Sequence, residues 1–326
     1  MKRLKTLVVA LFACIAMQAA NEVAVTVVYN GTTATVSIPA SLSSYVSCPS
    51  GTSSHVRLVQ ASTVGDNTSG EITYILSGSS DDGEFFMEGD YKATVRLNGL
   101  TLTNPDSTAI HLKDGKRMKV NLPEGTTNTL TNGATDTESK GCLHCKGHTE
   151  FTGKGTLNIV SNFAHAIYSK EYVSIKNCTI NITKAKKDGI HCQEYFLMEK
   201  GTVNISDVED DGIQVELKGD SSTGEKKNHE DEDTGNFYMT GGTLSMNNVG
   251  SKNIKAEGKI SFSGGTQNFD KTNIKEYATG ISTIATDGLT IEAIYDLNGR
   301  QLTNGATLPK GVYIVRKGNK TSKVFL

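Results

Sequence analysis

The sequence predicts an all-β fold, a single-stranded parallel β-helix with about 23 residues in each turn. Three observations predict it: a short motif recurs at that interval, the composition suits short strands joined by tight turns, and apolar residues do not take helical spacing. Of the 326 residues, 33 are Gly, only 5 are Pro and none is Trp. Gly frees the backbone for tight turns, and the many Thr residues favour strands.

The repeat is clearest in a short motif of the form Gly-Thr-aliphatic-Asn-aliphatic. Its copies begin at Gly155, Cys178, Gly201, Gly242 and Gly265. Successive copies are about 23 residues apart, except for one longer step between the third and the fourth. That step exceeds one repeat by the length of the polar segment 218–235. Such a composition cannot bury a strand, so we expect 218–235 to be a loop inserted into one turn.

Two further series of apolar residues keep nearly the same interval. One consists of Ile110, Leu143, Ile167, Ile190, Ile213 and Ile254, and the other of Phe151, Ile175, Met198, Met239 and Phe262. Three short strands per turn, each about 4.8 Å from its equivalent in the next turn, would align such residues in inward columns. Within the motif itself, the expected columns are Leu157, Ile180, Val203 and Leu244, and beside them Ile159, Ile182, Ile205 and Met246.

The segments outside the repeat differ in character. Residues 1–20 combine a basic start, an apolar run too short to span a bilayer, and small residues at the end, which is the layout of a secretory signal peptide. We expect 21–70 to form an N-terminal β leader or cap with a hairpin at Asn30-Gly31. The β-helix is predicted over 71–278, and a small C-terminal domain of short strands over 279–326.

The charge balance excludes some partners. The chain has 33 Lys and Arg against 35 Asp and Glu, a formal net charge of -2. No overall field therefore attracts nucleic acid or an anionic membrane. No transmembrane segment is expected in the mature chain.

The C-terminal segment carries a pattern of its own, Tyr295-Asp-Leu-Asn-Gly-Arg300 followed by Leu308-Pro-Lys-Gly-Val-Tyr-Ile-Val315. Residues 281–326 resemble the C-terminal sorting domain of proteins exported by the type IX secretion system of Bacteroidetes-type bacteria. The resemblance implies a small β-sandwich-like sorting domain, the type IX secretion machinery as a partner, and a secreted or outer-membrane-surface location. A small accessory β-domain is the alternative.

The repeat region also carries a family resemblance, in Ile72-Thr-Tyr-Ile-Leu-Ser-Gly, Val95–Asn104, Leu122–Thr131, Asp188-Gly-Ile-His and Asp210-Asp-Gly-Ile. Residues 71–270 resemble a bacterial family of secreted carbohydrate-binding β-helix proteins, similar in fold to the family 9 pectate lyases. The resemblance implies a right-handed parallel β-helix, calcium held by acidic turn residues, and binding of plant-type polysaccharide, acidic sugars included, without an established catalytic step. The acidic pair before Gly-Ile is complete only at Asp210-Asp211.

Four aspartates are candidate calcium ligands. Asp188 and Asp211 are one repeat apart in the sequence, so adjacent turns would bring their carboxylates within about 5 Å of each other. Asp210 and Asp207 are close to them in sequence. Ca²⁺, which takes about six to eight oxygens, would relieve the repulsion. The alternative is a solvated ion-pair ladder in which lysines neutralise the aspartates: Lys186, Lys187 and Lys252.

A stripe of rings and hydrogen-bonding groups follows the first of the two apolar series. It consists of His111, His144, Tyr168, His191, Gln214 and Lys255. Rings can stack on pyranose faces while the polar groups bind hydroxyls or carboxylates, so the stripe is a candidate polysaccharide-binding face; a polar ladder without function is the alternative. A cluster of lysines favours an anionic polymer such as polygalacturonate over a cellulose-type glucan: Lys170, Lys176, Lys184, Lys186 and Lys187.

The cysteines do not predict a metal or disulfide framework. Cys142-Leu-His144-Cys145-Lys-Gly-His148 has zinc-like spacing, but the repeat explains it better because Cys145 falls in an inward column with Ser169 and Cys192. Cys145 and Cys192 are two turns apart, roughly 9.6 Å, which is too far for a disulfide. After signal removal five cysteines remain, an odd number.

The sequence therefore predicts a secreted, non-catalytic polysaccharide-binding protein. The main rival is a calcium-dependent lyase acting on uronate polymers, in which Lys187 or Lys184, beside Asp188 and Asp211, would abstract the C5 proton. A third interpretation is a surface adhesin or structural β-helix that binds no sugar.

Overall fold

The structure is a computed structural model that describes residues 23–133, 140–217, 234–276, 293–296, 299–302, 312–317 and 320–325. The predicted signal peptide and nearly all of the predicted loop 218–235 lie outside these ranges. The described residues contain β-strands and a short 3-10 helix, Ala40–Leu42. Among them, no helix has the length and apolar character needed to cross a membrane.

The strands are numbered along the chain. The first half comprises β1 Ala24–Asn30, β2 Thr33–Ser37, β3 Val46–Ser47, β4 His55–Gln60, β5 Ile72–Ser80, β6 Glu84–Glu88, β7 Ala93–Asn104, β8 Ile110–Lys113, β9 Met118–Leu122, β10 Thr127–Asn132, β11 Gly141–Cys145, β12 Thr149–Gly153, β13 Thr156–Ser161, β14 His165–Ser169 and β15 Val173–Ile175. The second half comprises β16 Thr179–Lys184, β17 Ile190–Gln193, β18 Tyr195–Met198, β19 Thr202–Val208, β20 Ile213–Glu216, β21 Asn236–Met239, β22 Thr243–Val249, β23 Ile254–Ala256, β24 Ile260–Phe262, β25 Thr266–Asn268, β26 Ile274–Glu276, β27 Ala293–Tyr295, β28 Gln301–Leu302, β29 Val312–Lys317 and β30 Lys320–Phe325.

The repeat region has three parallel faces, and each regular turn contributes one strand to each. Face 1 contains β4, β6, β8, β11, β14, β17, β20, β23 and β26. Face 2 contains β9, β12, β15, β18, β21 and β24, and face 3 contains β10, β13, β16, β19, β22 and β25. Strand β7 joins faces 2 and 3, because its first residues pair with β9 and its last with β10. These long sheets of parallel strands are consistent with a β-helix-like, all-β fold.

The predicted apolar columns are confirmed by the strand register. On face 1 the series from Ile110 to Ile254 pairs residue by residue, and on face 2 the series from Phe151 to Phe262 does the same. On face 3, Leu157 begins a column that continues through the next three repeats. Nearly all of these side chains are buried, and each fully buried one contributes about 1.5–3 kcal/mol.

The N-terminal strands join the stack directly. Strands β1 and β2 form the predicted hairpin, and Gly31 has the positive φ of 63° that such a turn requires. Strand β1 also pairs in parallel with β5. Within the predicted leader 21–70, β4 already pairs in parallel with β6, so parallel stacking begins ahead of residue 71.

The described C-terminal strands form a four-stranded antiparallel sheet in the order β28-β27-β29-β30. Between β27 and β28, the Gly299 N–H donates to the Asp296 carbonyl at 3.0 Å. The antiparallel pairing of β27 with β28 and of β29 with β30 agrees with the short strands predicted for this segment. A β-sandwich-like arrangement stays a prediction, since the residues described here form one sheet.

Candidate functional site

The predicted stripe forms one continuous column on the outer side of face 1. Consecutive members pair across neighbouring strands: His111, His144, Tyr168, His191, Gln214 and Lys255. Phe86 pairs with His111, and Arg57 pairs with Phe86, so both extend the column toward the N terminus. Neither could be found from the repeat, because the first turns are irregular in length. These eight residues are called the ring column below.

The rings in this column pack against one another. The centroids of His111 and His144 are 4.4 Å apart with planes 11° from parallel, and those of Tyr168 and His191 are 5.1 Å apart at 15°. Phe86 meets His111 edge-on, as His144 meets Tyr168. Stacked partners cover each other's faces, and the nitrogen atoms of His191 lie near Asp188 and Glu216 while His144 Nδ1 is buried. This differs from the expected stacking of rings on pyranose faces.

Three lysines form a second column beside the rings. Lys113, Lys146 and Lys170 each lie two residues after a ring, at His111, His144 and Tyr168; Lys113 ends β8, while Lys146 and Lys170 directly follow β11 and β14. The residues just before them, Leu112, Cys145 and Ser169, pair with one another across β8, β11 and β14. The three lysines therefore lie on consecutive turns. All three are exposed, and the Lys113 ammonium donates to Glu88 at 3.0 Å.

The five lysines predicted to cluster lie at three different places in the structure. Of these, only Lys170 directly follows a strand of face 1. Lys176 pairs with Glu150 at 3.2 Å beyond the end of β15. The other three lie near the corner after β16, where Lys184 donates to Asn162 and Lys186 pairs with Glu209, while Lys187 is exposed just before Asp188. Lysines that are close in the sequence lie at different corners of the fold, because the chain changes direction between the strands of each turn.

Three of the four predicted aspartates come together. Asp188, Asp210 and Asp211 each offer an oxygen, and these oxygens lie within 4.8 Å of one another. Asp188 and Asp211 are buried, and each uses Oδ1 to accept a backbone N–H from the next turn, at 3.0 Å from Asp211 and 2.9 Å from Lys252. Asp207 is not in this group, because its carboxylate is exposed and accepts a hydrogen bond from the Asn248 amide.

The second oxygens of the buried pair face positively charged or ionisable groups. Asp188 Oδ2 lies 2.8 Å from His191 Nδ1 and 3.1 Å from His165 Nδ1. Asp211 Oδ2 lies 3.2 Å from the Lys255 ammonium. Of the lysines expected to neutralise this row, Lys186 pairs with Glu209, next to Asp210 in the sequence, whereas the ammonium of Lys252 donates to Asn273. His165 was not predicted, although it stands one repeat before Asp188 in the sequence.

These contacts shift the pKa values of the corner. Burial alone would raise the pKa of Asp188, but the hydrogen bonds and charges of His165 and His191 outweigh it and lower that pKa. Burial would lower the pKa of His191, but Asp188 and Glu216 raise it to about 9. For His165 burial prevails, and its pKa is lowered. The pKa of Asp210 is raised by burial and by repulsion from the neighbouring carboxylates.

A calcium ion would compete with groups already at this corner. Ca²⁺ takes about six to eight oxygens, whereas Asp211 Oδ2 is in contact with an ammonium and Asp188 Oδ2 with two imidazoles. The three carboxylates supply oxygens suitable for Ca²⁺. The ammonium and imidazole groups already in contact with them, however, are the partners expected when ion pairs neutralise the carboxylates. Of the two alternatives that the sequence left open, the contacts therefore favour ion pairs, with Lys255 in place of the expected lysines.

A groove lies at the corner between faces 3 and 1. It has a volume of about 600 Å³ and is lined by Thr183, Lys184, Asp207, Val208, Glu209, Asn248 and Gly250. Lys184, one of the two bases considered for a lyase, therefore lines a different site from the buried Asp188 and Asp211.

A family model described as "Carbohydrate-binding domain-containing protein" matches residues 60–307. The chain belongs to this family. A carbohydrate-binding domain-containing protein of Acetivibrio thermocellus is 26% identical over 118 residues, which are 33% of this chain and 41% of that protein, so the match spans less than half of the relative.

A solved structure, described as the polysaccharide lyase-like protein from C. thermocellum in a gadolinium derivative, is similar with a TM-score of 0.56. It is 18% identical, and the match covers 78% of this chain and 100% of that one. At this identity the likeness concerns the fold. The carbohydrate-binding family predicted from the sequence is confirmed, and this carbohydrate-binding domain protein shares its fold with a lyase-like protein.

Proposed function

We propose that this carbohydrate-binding domain protein is a secreted or cell-surface, non-catalytic binder of acidic polysaccharide, built as a right-handed parallel β-helix. One observation carries the proposal. On three consecutive turns of face 1, a ring of the ring column is followed two residues later by an exposed lysine: His111 by Lys113, His144 by Lys146 and Tyr168 by Lys170.

The geometry suits a linear polymer lying along the helix axis. Equivalent groups recur at the strand spacing of about 4.8 Å, which is comparable to the length of one pyranose unit. Imidazole nitrogens and the Tyr168 hydroxyl can exchange hydrogen bonds with sugar hydroxyls. The lysines supply positive charge on the same turns, which attracts a polymer with a carboxylate on each unit.

The lyase alternative has less support. Of its candidate bases, Lys184 donates to Asn162 at the groove, and Lys187, although next to Asp188 in the sequence, is exposed. The amine that does face Asp211 is Lys255, which is already ion-paired at 3.2 Å. The fold likeness to a lyase-like protein keeps the alternative worth testing, because related folds host both binders and enzymes.

Affinity gel electrophoresis in polygalacturonate tests the proposal. We expect the wild type to be retarded, and a Lys146→Glu, Lys170→Glu double variant to lose most of the retardation. The matched control is Lys200→Glu, Lys259→Glu, which changes the net charge equally at exposed lysines away from the ring column. Equal loss in both double variants would mean that net charge, not the ring column, governs binding, and would contradict the proposal.

Two further measurements separate the rivals. Unsaturated product appearing in the ultraviolet when the protein is incubated with polygalacturonate and Ca²⁺ would favour the lyase. Retardation by neutral glucans alone would favour a cellulose-type ligand. No retardation by any glycan would favour an adhesin or a structural role.

We also propose that residues 1–20 direct export and that 279–326 address the chain to the type IX secretion machinery. The support is the sequence pattern of both ends. In a host with that machinery, deleting 279–326 should leave the protein in the periplasmic fraction. Surface display of the truncated chain would contradict this assignment.

A further inference from the structure

A second cluster of ionisable side chains lies at the corner between faces 1 and 2, away from the ring column. His148 precedes β12, Glu171 precedes β15 and Glu194 precedes β18, so the three residues stand on consecutive turns. The register of β15 and β18 puts Glu171 and Glu194 at equivalent positions. The same corner of three successive turns thus supplies one imidazole and two carboxylates.

The three side chains converge in a buried space. The Nε2 atom of His148 lies 3.5 Å from Glu171 Oε2 and 3.3 Å from Glu194 Oε2. All three donor atoms lie within 4.8 Å of one another. His148, Glu171 and Glu194 are only 3%, 9% and 3% exposed.

The imidazole is held in position by stacked rings. The ring of His148 lies over Tyr172, with centroids 4.3 Å apart, and Tyr172 lies over Tyr195 at 4.7 Å. This stack runs along the helix axis beside the two glutamates. It orients the His148 ring so that Nε2 points at the carboxylates, which is the arrangement that a ligand nitrogen needs.

We propose that His148, Glu171 and Glu194 form a binding site for one divalent transition-metal ion of the Zn²⁺ type. One imidazole nitrogen and two carboxylate oxygens are a donor set that zinc uses, and three protein ligands leave a fourth position for another donor. Ca²⁺ is a poorer match, because it prefers oxygen ligands only and more of them.

The charges of the three groups support a dication. A protonated imidazole balances only one of two carboxylates, and buried charge is costly unless it is balanced. A divalent ion balances both carboxylates and leaves the imidazole neutral, as a ligand must be. The ion would tie three consecutive turns together at one corner, so its role would be to stabilise the stack.

The cysteines near this site are not part of it. Cys145 is fully buried in the inward column of face 1, where burial raises the pKa of its thiol to about 12. The zinc-like spacing from Cys142 to His148 in the sequence thus contributes only its last member. The other two ligands come from later turns, one and two repeats further along the chain.

The test is Zn²⁺ titration of the metal-stripped mature chain by calorimetry. We expect one Zn²⁺ per chain in the wild type and an affinity at least about tenfold lower in a Glu171→Gln, Glu194→Gln double variant. The control is Asp188→Asn, which alters the other buried histidine and aspartate cluster, His165, Asp188 and His191. It should bind Zn²⁺ like the wild type.

Several results would overturn the proposal: no stoichiometric binding by the wild type, equal affinity in the double variant, or a loss of binding confined to Asp188→Asn. If the double variant does not fold, imidazole NMR of the wild type decides. Zn²⁺ should then shift the resonance that is missing in His148→Phe, and a shift confined to the other histidines would refute the site.

Discussion

Replacing His144 with phenylalanine tests whether the ring column excludes positive charge from its centre. The pKa of His144 is lowered to about 3, because burial disfavours the charged ring and because His111, Lys140 and His165 add electrostatic repulsion. Phenylalanine keeps a flat ring between His111 and Tyr168 but cannot take up a proton.

The size of the effect follows from the two protonation states. The ring in the unfolded chain has an ordinary pKa of about 6.5, so between roughly pH 6.5 and 3 the unfolded chain binds more protons than the folded one. Stability is therefore full above pH 6.5 and declines as the pH falls toward 3. At about pH 5 the loss due to this one ring is about 2 kcal/mol, reduced toward about 1 kcal/mol by solvent screening of its accessible part.

Urea unfolding of both proteins at about pH 7.5 and about pH 5 measures this loss. Between the two conditions the wild type should lose about 1–2 kcal/mol more free energy of unfolding than His144→Phe. Other titrating groups are common to both proteins and cancel in the difference. An equal loss in both would mean that the column tolerates a charged His144, and would refute the reasoning.

Three further predictions concern the core, a turn and the acidic corner. Phe237→Ala removes a fully buried ring of the face 2 column and should cost about 3–5 kcal/mol of unfolding free energy in urea titrations; a loss below about 1 kcal/mol would contradict the observed packing. Gly153→Ala should lower the melting temperature more than Gly99→Ala does. Both glycines have positive φ, but only at Gly153 would an added Cβ lie 2.0 Å from a carbonyl oxygen of the preceding turn. Equal shifts in melting temperature would mean that the cost comes from backbone conformation alone, and would contradict a role for the close contact. Adding Ca²⁺ to the metal-stripped chain should leave the melting temperature unchanged if ion pairs neutralise the corner, whereas a rise in the wild type that is absent in an Asp188→Ala, Asp211→Ala double variant would assign calcium there.

The core was predictable because a repeat of constant length determines which backbone positions stack. Ile190 pairs with Ile167 before it and Ile213 after it, as their spacing requires. The longer step from Ile213 to Ile254 is still one turn, since the two residues pair directly. An insertion between strands changes the length of a turn without changing the register of the strands on either side.

The partners of the polar side chains were less predictable. Lysine has a long flexible chain, so its neighbours along the sequence do not indicate which carboxylate its ammonium reaches. Asp211 pairs with Lys255 from the following turn, while Lys186, near Asp188 in sequence, pairs with Glu209. The packing of rings face to face was likewise invisible, because it depends on side-chain rotation about each strand.

By itself, the sequence determined the all-β class, the period of the turns, the inward columns, the outward stripe from His111 to Lys255 and the approach of Asp188 to Asp211. These follow from backbone spacing, which a repeated sequence transmits from turn to turn. Only the tertiary structure decided which lysines stand beside the rings, which ammonium faces Asp211, and that His148 meets two glutamates at another corner. Those contacts depend on where each turn changes direction and on side-chain conformation, and no repeat length specifies either.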